Sequence, residues 1–442
     1  MSTPIDRRRF LQTSAGLGAL AAGVSISADR RDARPGDPAA EPLVFPWNDR
    51  VLPPYKSYQP RVILIRFGGG VRRQETIADS ERSTYCPFIY HELYRNKGIL
   101  LRNVEIENNP KIVTSHGEGT LYILTGKYDE FKDVHGRPLG NRFEPKVPTI
   151  FEYLRGAYDI PTHQALIVNG EDRIDEDYFT FSNDPHYGVR YRSTVLSLHR
   201  FKTFVLRDEL AHGKLVAGSP TGTDLPRWLR ARQYRRVPLT DQERRTRREE
   251  LIRLEVRGDR VRDAQASSPE LDAFWDRWRS YYGTSGFVNP RGDRLLTTLS
   301  LWALRYLRPK LMMINYQDPD YVHWGNPHFY TRAISIIDEG VREISNAVQA
   351  DEEYRDNTVF LVVPDCGRDS NRCMPIPYQH HFNTRSAREV FVIAAGPGIV
   401  HATTPVDRKA QQASVAASIG RMMGFKTRLA DPGAGPLQEI HA

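Results

Sequence analysis

Three apolar runs in the last third of the chain are each joined to a group of acid, thiol or imidazole side chains. The runs begin at Leu311, Thr358 and Val390, and each has the length and composition of a buried strand. In open α/β sheets, ligands bind beyond the carboxyl ends of the strands. This pattern therefore predicts a site at one edge of a sheet. Its candidate residues are Asp318, Asp320 and His323 after the first run, Asp365 and Cys366 after the second, and His380 and His381 before the third.

The chemistry of these side chains is that of a divalent metal site. Carboxylates and imidazoles together bind zinc or a harder cation, and a cysteine thiolate would favour zinc. One Asp-x-x-His group alone is more typical of a turn. Three groups at successive strand ends predict a bound divalent metal, with zinc as the first choice and Ca, Mg or Mn as alternatives.

With these residues, the chain resembles the alkaline phosphatase/sulfatase superfamily. The segment GTLYILTGKYDEF (119–131) is similar to the family's segment with Leu-Thr-Gly, and VPTIFEYLRGAY (147–158) to the helix that follows. The resemblance covers roughly 60–170 and 310–425. It implies a large doubly wound, mostly parallel α/β sheet with a helical cap insertion. It also implies one metal held by Asp320 or Asp318, by His323, and by His381 or His380.

Three positions depart from the family pattern. Arg66 stands where the family has a metal-binding Asp at the end of the first strand. His116 occupies the place of the family's nucleophile, with Thr114 and Ser115 as substitutes if the loop is longer than usual. Cys366 replaces the His of the family's Asp-His-Gly signature. These changes fall in one half of the family's site.

Three hypotheses account for the altered half. In the first, the Arg66 guanidinium takes the place of a second cation and holds an anion bidentately. In the second, the chain builds a rearranged metal site from His116, Glu118, Asp365 and Cys366. In the third, Cys366 is a small buried hydrophobe, or pairs with Cys373, and His116 only hydrogen-bonds its own loop.

The first residues resemble an export signal. RRRFLQ, beginning at Arg7, precedes an apolar, Gly/Ala-rich run of about sixteen residues, which is typical of a twin-arginine signal peptide over 1–28. We therefore predict a periplasmic or secreted protein that meets the twin-arginine translocase during export. A Pro-rich arm (29–59) follows. No other run reaches the roughly 20 apolar residues of a membrane span, so no stable membrane anchor is expected.

The remaining organisation follows from pattern and charge. We predict an α/β core over 60–170 and 310–427, an aromatic and Arg-rich helical insertion over 171–309, and a tail over 428–442. Ser268 before a proline, and Asp293, are expected to begin helices. The net charge is +8. Its arginines are interleaved with glutamates, which favours an anionic small molecule or cell-envelope polymer as partner and argues against nucleic acid.

Two functions are compatible with the sequence. The first is a metal-dependent hydrolase or transferase acting on a phosphate, sulfate or phosphonate ester, with Arg66 steadying the ester oxygens and His116 as general base. The second is a non-catalytic periplasmic pseudoenzyme that binds a metal, an anionic ligand or a partner. The substrate and the oligomeric state stay open.

Overall fold

Short buried strands alternate with helices through the protein, as the apolar runs predict. The computed structural model describes residues 60–77, 84–133, 143–170, 179–211, 268–286, 292–323, 327–369, 379–380, 382–427 and 434–441. The predicted signal peptide, the Pro-rich arm, residues 212–267 of the predicted insertion, Cys373 and His381 lie outside these residues.

Eight strands of the described residues form one sheet. They are β1 (Arg61–Phe67), β2 (Gly98–Glu105), β5 (Ala165–Val168), β6 (Thr194–Leu196), β7 (Leu311–Tyr316), β8 (Thr358–Pro364), β9 (Glu389–Ala395) and β10 (Ala410–Gln411), beside a small antiparallel pair, β3 (Phe131–Asp133) and β4 (Phe143–Pro145). Their order in the sheet is β10-β2-β9-β8-β1-β7-β5-β6. Neighbouring strands are parallel except at β9, which runs against β2 and β8. The predicted α/β fold with a mostly parallel sheet is confirmed.

Helices cover both faces of the large sheet. Alternate β1 residues such as Val62 and Leu64 pack in one cluster with apolar side chains of three helices, and the intervening residues point to the other face. The helices of the first face are His116–Thr125, Ile150–Tyr158 and Ser414–Met423. The other helices are Arg73–Thr76, Leu198–Ala211, Pro269–Tyr282, Asp293–Tyr306, Pro327–Ala350 and Arg385–Arg388, with a π-helix at Phe88–Arg95 and 3-10 turns at Thr162–Gln164, Gly188–Tyr191, Asp318–Val322 and Gln438–Ile440.

Local sequence signals set several helix starts. The Ser268 hydroxyl accepts a hydrogen bond from the Leu271 N–H at 3.3 Å, so the predicted cap before a proline is confirmed. The next helix begins at Asp293, also as predicted. Its preceding residue, Gly292, has φ of +68°, a conformation that favours glycine.

The region predicted as an insertion also contributes to the large sheet. Strand β6 (Thr194–Leu196) pairs in parallel with β5, and the helix Leu198–Ala211 follows it. A three-residue apolar run carries too little periodic signal to be recognised as a strand. Within the described residues, no helix combines the length and apolarity needed to cross a membrane.

The direction of β9 explains why distant segments meet. Strands β1, β7 and β8 end at the same edge of the sheet because they are parallel. Strand β9 is antiparallel to β8, so its beginning lies at that edge. Side chains that follow β7 and β8 therefore approach side chains that precede β9.

Candidate metal centre

Three imidazole rings converge on one carboxylate at this edge. The Nε2 atoms of His116 and His323 each lie 2.7 Å from Oδ1 of Asp320, and Nε2 of His380 lies 3.6 Å from the same oxygen. His380 is fully buried, whereas the other three side chains are between 11% and 24% exposed. One potential ligand atom from each residue lies within 4.8 Å of the others. We call these four residues the metal cluster.

The opposite nitrogen of each ring faces an acceptor. Nδ1 of His116 lies 2.5 Å from Oδ2 of Asp365, and Nδ1 of His380 lies 3.4 Å from the Thr114 carbonyl. Nδ1 of His323 lies 3.1 Å from Oε1 of Gln379. The Nε2 of Gln379 donates to the His323 carbonyl at 3.2 Å, and this hydrogen bond orients the Gln379 amide. Each Nδ1 therefore carries a hydrogen, and this fixes the tautomer of the neutral ring.

With a hydrogen fixed on each Nδ1, the cluster needs positive charge between its Nε2 atoms and Asp320. Three neutral rings would direct the lone pairs of their Nε2 atoms at an oxygen of Asp320, which also bears electron pairs. Such a contact is repulsive unless protons or a cation lie between the atoms. Three imidazoles and one carboxylate are a ligand set that zinc accepts, and an acceptor behind each ring is the usual support of a metal-binding histidine. The residues therefore fit a divalent metal.

The pKa values reflect the same crowding. Burial alone would lower the pKa of His116, but the carboxylates of Asp320 and Asp365 raise it well above its usual range. Burial opposes ionisation of Asp320, yet His116, together with hydrogen bonds from the other two rings, holds the pKa of Asp320 far below its usual range. The cluster thus holds positive charge, as protons or as a metal ion.

A second buried carboxylate lies beside the cluster and is neutralised by an arginine. The Arg66 guanidinium donates to Oδ2 of Asp365 at 2.5 Å, to the Asn315 side-chain oxygen, and to the His116 carbonyl at 3.1 Å. The other oxygen of Asp365 accepts from the main-chain N–H groups of Gly70 and Cys366 at 3.2 and 2.7 Å. Burial raises the pKa of Asp365, but Arg66 and His116 together hold it well below its usual value. Arg66 thus supplies the cation that a buried carboxylate needs.

Cys366 is a fully buried, free thiol. It packs in an apolar cluster with side chains such as Ile106 and Tyr122, and burial raises its pKa to about 12. Its sulfur lies 3.8 Å from Nδ1 of His116. This environment favours a protonated thiol that acts as a small hydrophobe. The rearranged thiolate site stays a hypothesis, with His116, Asp365 and Cys366 grouped as it requires.

The other predicted site residues have structural contacts. Thr114 donates its hydroxyl to the His380 carbonyl and its N–H to the Asn383 side chain at 2.7 Å. Ser115 caps the helix His116–Thr125 by accepting from the Glu118 N–H at 3.4 Å. These contacts place neither hydroxyl in the metal cluster.

Asp320, not Asp318, is the acid that faces the cluster. The Asp318 carboxylate accepts from the Asp293 N–H at 3.1 Å, at the start of another helix. Among the described residues, neither grouping of potential metal ligands includes Asp318 or Glu118.

Sequence reasoning missed the residues that support the cluster. Arg368, fully buried, donates to the carbonyls of Gly69 and Pro319 at 2.6 Å each and to that of Gly70 at 2.7 Å. It joins the loop after β1 to the loop that carries Asp320. Arg368 and the His323 partner Gln379 both lie in loops, where no periodic signal marks a buried side chain.

Comparison with known proteins gives similarity in fold at low identity. No protein-family model matches the chain, and no curated protein matches it. Solved structures that it is similar to include an alkaline phosphatase superfamily protein from Vibrio parahaemolyticus, with 11% identity, 86% of this chain and 70% of that chain covered, and a TM-score of 0.43. A putative sulfatase from Bacteroides thetaiotaomicron has 11% identity, coverage of 87% and 76%, and a TM-score of 0.41. The alkaline phosphatase PafA has 9% identity, coverage of 88% and 100%, and a TM-score of 0.45.

Proposed function

We propose that this protein is an exported, metal-dependent hydrolase or transferase that acts on a phosphate, sulfate or phosphonate ester. The observation that carries the proposal is the convergence of three imidazole Nε2 atoms on Oδ1 of Asp320. Proteins with open α/β sheets bind their ligands at the carboxyl edge of the sheet, where this cluster lies. A divalent ion there supplies Lewis acidity toward an ester oxygen.

Asp320, His323 and His380 are the three residues that would hold the ion. Gln379 orients the His323 ring, and the Thr114 carbonyl orients the His380 ring. Three protein ligands are the usual number in a catalytic zinc site, since one position stays open for substrate.

His116 is the group best placed to move a proton. Its Nδ1 donates to Asp365 at 2.5 Å and its Nε2 points into the metal cluster. A carboxylate behind a histidine fixes the tautomer and stabilises the imidazolium that forms when Nε2 takes a proton. Asp365 can do this because Arg66 and two main-chain N–H groups keep it ionised.

The first test measures bound metal and turnover together. The purified protein is analysed for zinc and assayed with an aryl phosphate, an aryl phosphate diester, an aryl sulfate and an aryl phosphonate ester. We expect about one equivalent of zinc and hydrolysis of at least one ester. His323→Ala should lose both, while His401→Ala, an exposed histidine whose Nε2 contacts the Arg95 carbonyl, should keep both. A metal-free wild type, or an active His323→Ala, contradicts the proposal.

The position of His116 Nε2, 2.7 Å from Oδ1 of Asp320, also favours the non-catalytic function. If His116 ligates through Nε2, the ion has four protein ligands, and closed tetrahedral sites are typical of structural zinc. The protein would then be a metal-binding pseudoenzyme that recognises an anionic ligand or a partner.

The role of His116 separates the two functions. As a general base, His116→Gln should retain zinc and lose turnover at least about a hundredfold, together with one limb of the pH profile. As a fourth ligand, the same variant should bind zinc more weakly, in a protein whose wild type hydrolyses none of the four esters. Cobalt substitution reports the coordination number directly through the visible spectrum.

A further inference from the structure

Three exposed aromatic side chains lie near residues of the metal cluster in the sequence. Five large apolar side chains are exposed among the described residues, and Tyr321 (81%), Phe329 (60%) and Phe382 (53%) are the most exposed of them. Each is close in sequence to a residue of the cluster. Apolar surface next to a polar site marks a ligand-binding surface more often than isolated exposure does.

Tyr321 belongs to the turn that carries two cluster residues. It lies in the 3-10 turn Asp318–Val322, directly after Asp320 and two residues before His323. Val322 is buried, so the turn directs that side chain inward and Tyr321 outward. Consecutive Cα atoms are about 3.8 Å apart, so the backbone of Tyr321 lies directly beside that of Asp320.

Phe382 is held at the cluster from both sides. It lies two residues after His380, and the next residue, Asn383, accepts from the Thr114 N–H at 2.7 Å. Thr114 in turn lies two residues before His116. Phe382 therefore lies between His380 and Asn383, and Asn383 contacts the segment that leads to His116.

Phe329 is fixed by the inward-facing residue that follows it. The buried Tyr330 accepts from the Arg72 N–H at 2.9 Å, and its ring lies 5.1 Å from the Arg368 guanidinium. Arg368 donates to the carbonyl of Pro319, the residue before Asp320. The first turn of the helix Pro327–Ala350 is thus tied to the loop that carries Asp320, with Phe329 pointing to solvent.

We propose that Tyr321, Phe329 and Phe382 form an aromatic rim that binds the organic group of the ester. The substrate class is then an ester with a large aryl or alkyl group rather than a small or highly charged one. This inference rests on the proposed function, which places the reacting anion at the metal cluster. Aromatic rings offer large apolar contact area with few rotatable bonds, so they bind such a group at low entropic cost.

The test compares two esters of whichever anion the wild type hydrolyses, one with a phenyl group and one with a methyl group. The triple variant Tyr321→Ser, Phe329→Ser, Phe382→Ser should lose at least about tenfold in kcat/KM for the phenyl ester. Its kcat/KM for the methyl ester and its zinc content should stay within about twofold. The matched control is Val189→Ser, an exposed apolar residue in the turn before β6, which should change neither rate. Equal losses for both esters, or no loss for either, overturn the rim.

Two further measurements keep this result separate from the proposed function. If the wild type hydrolyses no ester, the proposed function fails, and the rim is tested by calorimetry with phenylphosphonate and methylphosphonate on the zinc-loaded protein. A tenfold preference for the phenyl compound that the triple variant loses supports the rim, whereas equal affinity or no binding overturns it. If the triple variant loses zinc, Phe329→Ser and Phe382→Ser are measured singly, and each should lose part of the phenyl preference.

Discussion

The two edges of the large sheet both carry buried charged clusters, but they balance charge differently. At the amino edge, the Arg308 guanidinium donates to both oxygens of Asp351 at 2.5 and 2.9 Å and to Glu353 at 2.6 Å. Arg61 also donates to Glu353, and both guanidinium groups lie over the Tyr354 ring at 4.6 and 4.4 Å. Each carboxylate there has a fixed cation of the protein's own.

The carboxyl edge has an excess of electron-pair donors. Three imidazole Nε2 atoms meet one carboxylate oxygen in the metal cluster. At the amino edge the excess is the reverse, since burial and the two neighbouring arginines lower the pKa of Lys310 to about 8. Buried charge alone therefore does not identify a binding site. The sign of the imbalance does, because only a surplus of donors calls for an added cation.

The largest expected effect is the loss of metal when the central carboxylate is removed. Asp320→Ala should weaken zinc binding about three hundredfold or more, since a zinc site of about 10–16 kcal/mol would share that free energy among its three protein ligands. Chelator competition measures the dissociation constant. Asp318→Ala is the matched control, because Asp318 contacts Asp293 instead of the cluster, and it should keep zinc affinity within about threefold. Equal losses in both variants would show that Asp320 has no special role in binding zinc.

Removal of an amino-edge cation should instead cost stability and leave the metal in place. Arg308→Met leaves the Asp351 carboxylate buried beside fewer donors, and breaking a buried pair costs about 3 kcal/mol or more. Urea unfolding measures the loss. Arg355→Met, whose ion pair with Asp356 is exposed, should cost less than about 1 kcal/mol. A fall in zinc affinity in Arg308→Met would show that the two edges are coupled.

His163 offers a histidine at the amino edge for comparison with the three in the metal cluster. It is fully buried before β5, and burial lowers its pKa to about 4, although Glu270 at 3.7 Å opposes the shift. Because the folded pKa lies below the ordinary value of 6.5, stability present above pH 6.5 is lost as the pH falls through about 4.

The His163 contribution is measured from unfolding free energies at pH 7 and pH 4. The wild type should lose on the order of 3 kcal/mol through this group, and His163→Leu should lack that loss. The control His401→Leu should keep the wild-type pH dependence. An unchanged pH dependence in His163→Leu would show that burial does not lower the pKa of His163.

The smallest expected effect concerns the loop support. Arg368→Lys should weaken zinc binding about tenfold, since one ammonium cannot serve the carbonyls of Gly69, Gly70 and Pro319 as the planar guanidinium does. Chelator competition and the cobalt spectrum report the change at the ligands. Arg385→Lys, an exposed arginine, is the control. A spectrum and affinity like those of the wild type would mean that the hydrogen bonds of Arg368 do not position the metal ligands.

The central strands could be predicted from the sequence for physical reasons, and the acid and imidazole residues could be named as candidates. The residues of β1 are almost all apolar because the strand is buried on both faces between parallel neighbours, and such runs are visible without any structure. The strand β6, three residues long, was not visible. The direction of β9 was not predictable either, since apolar runs carry no information about strand orientation.

The site's connections could not be predicted because they join residues far apart in the chain. His116 was recognised as a candidate base, yet its partner Asp320 lies 204 positions away. Arg66 was expected to hold a ligand's anion, and the structure places it against Asp365, 299 positions away. Sequence shows which groups are available, but topology decides which of them meet.

The stretch 114–116 carries one imidazole of the metal cluster and contacts a second, His380. Thr114 accepts from the His380 ring through its carbonyl and donates to the His380 carbonyl through its hydroxyl, and its chain continues two residues later into His116. Any displacement of this stretch moves both imidazoles at once. Binding or release of an ion at the cluster would therefore involve both imidazoles together.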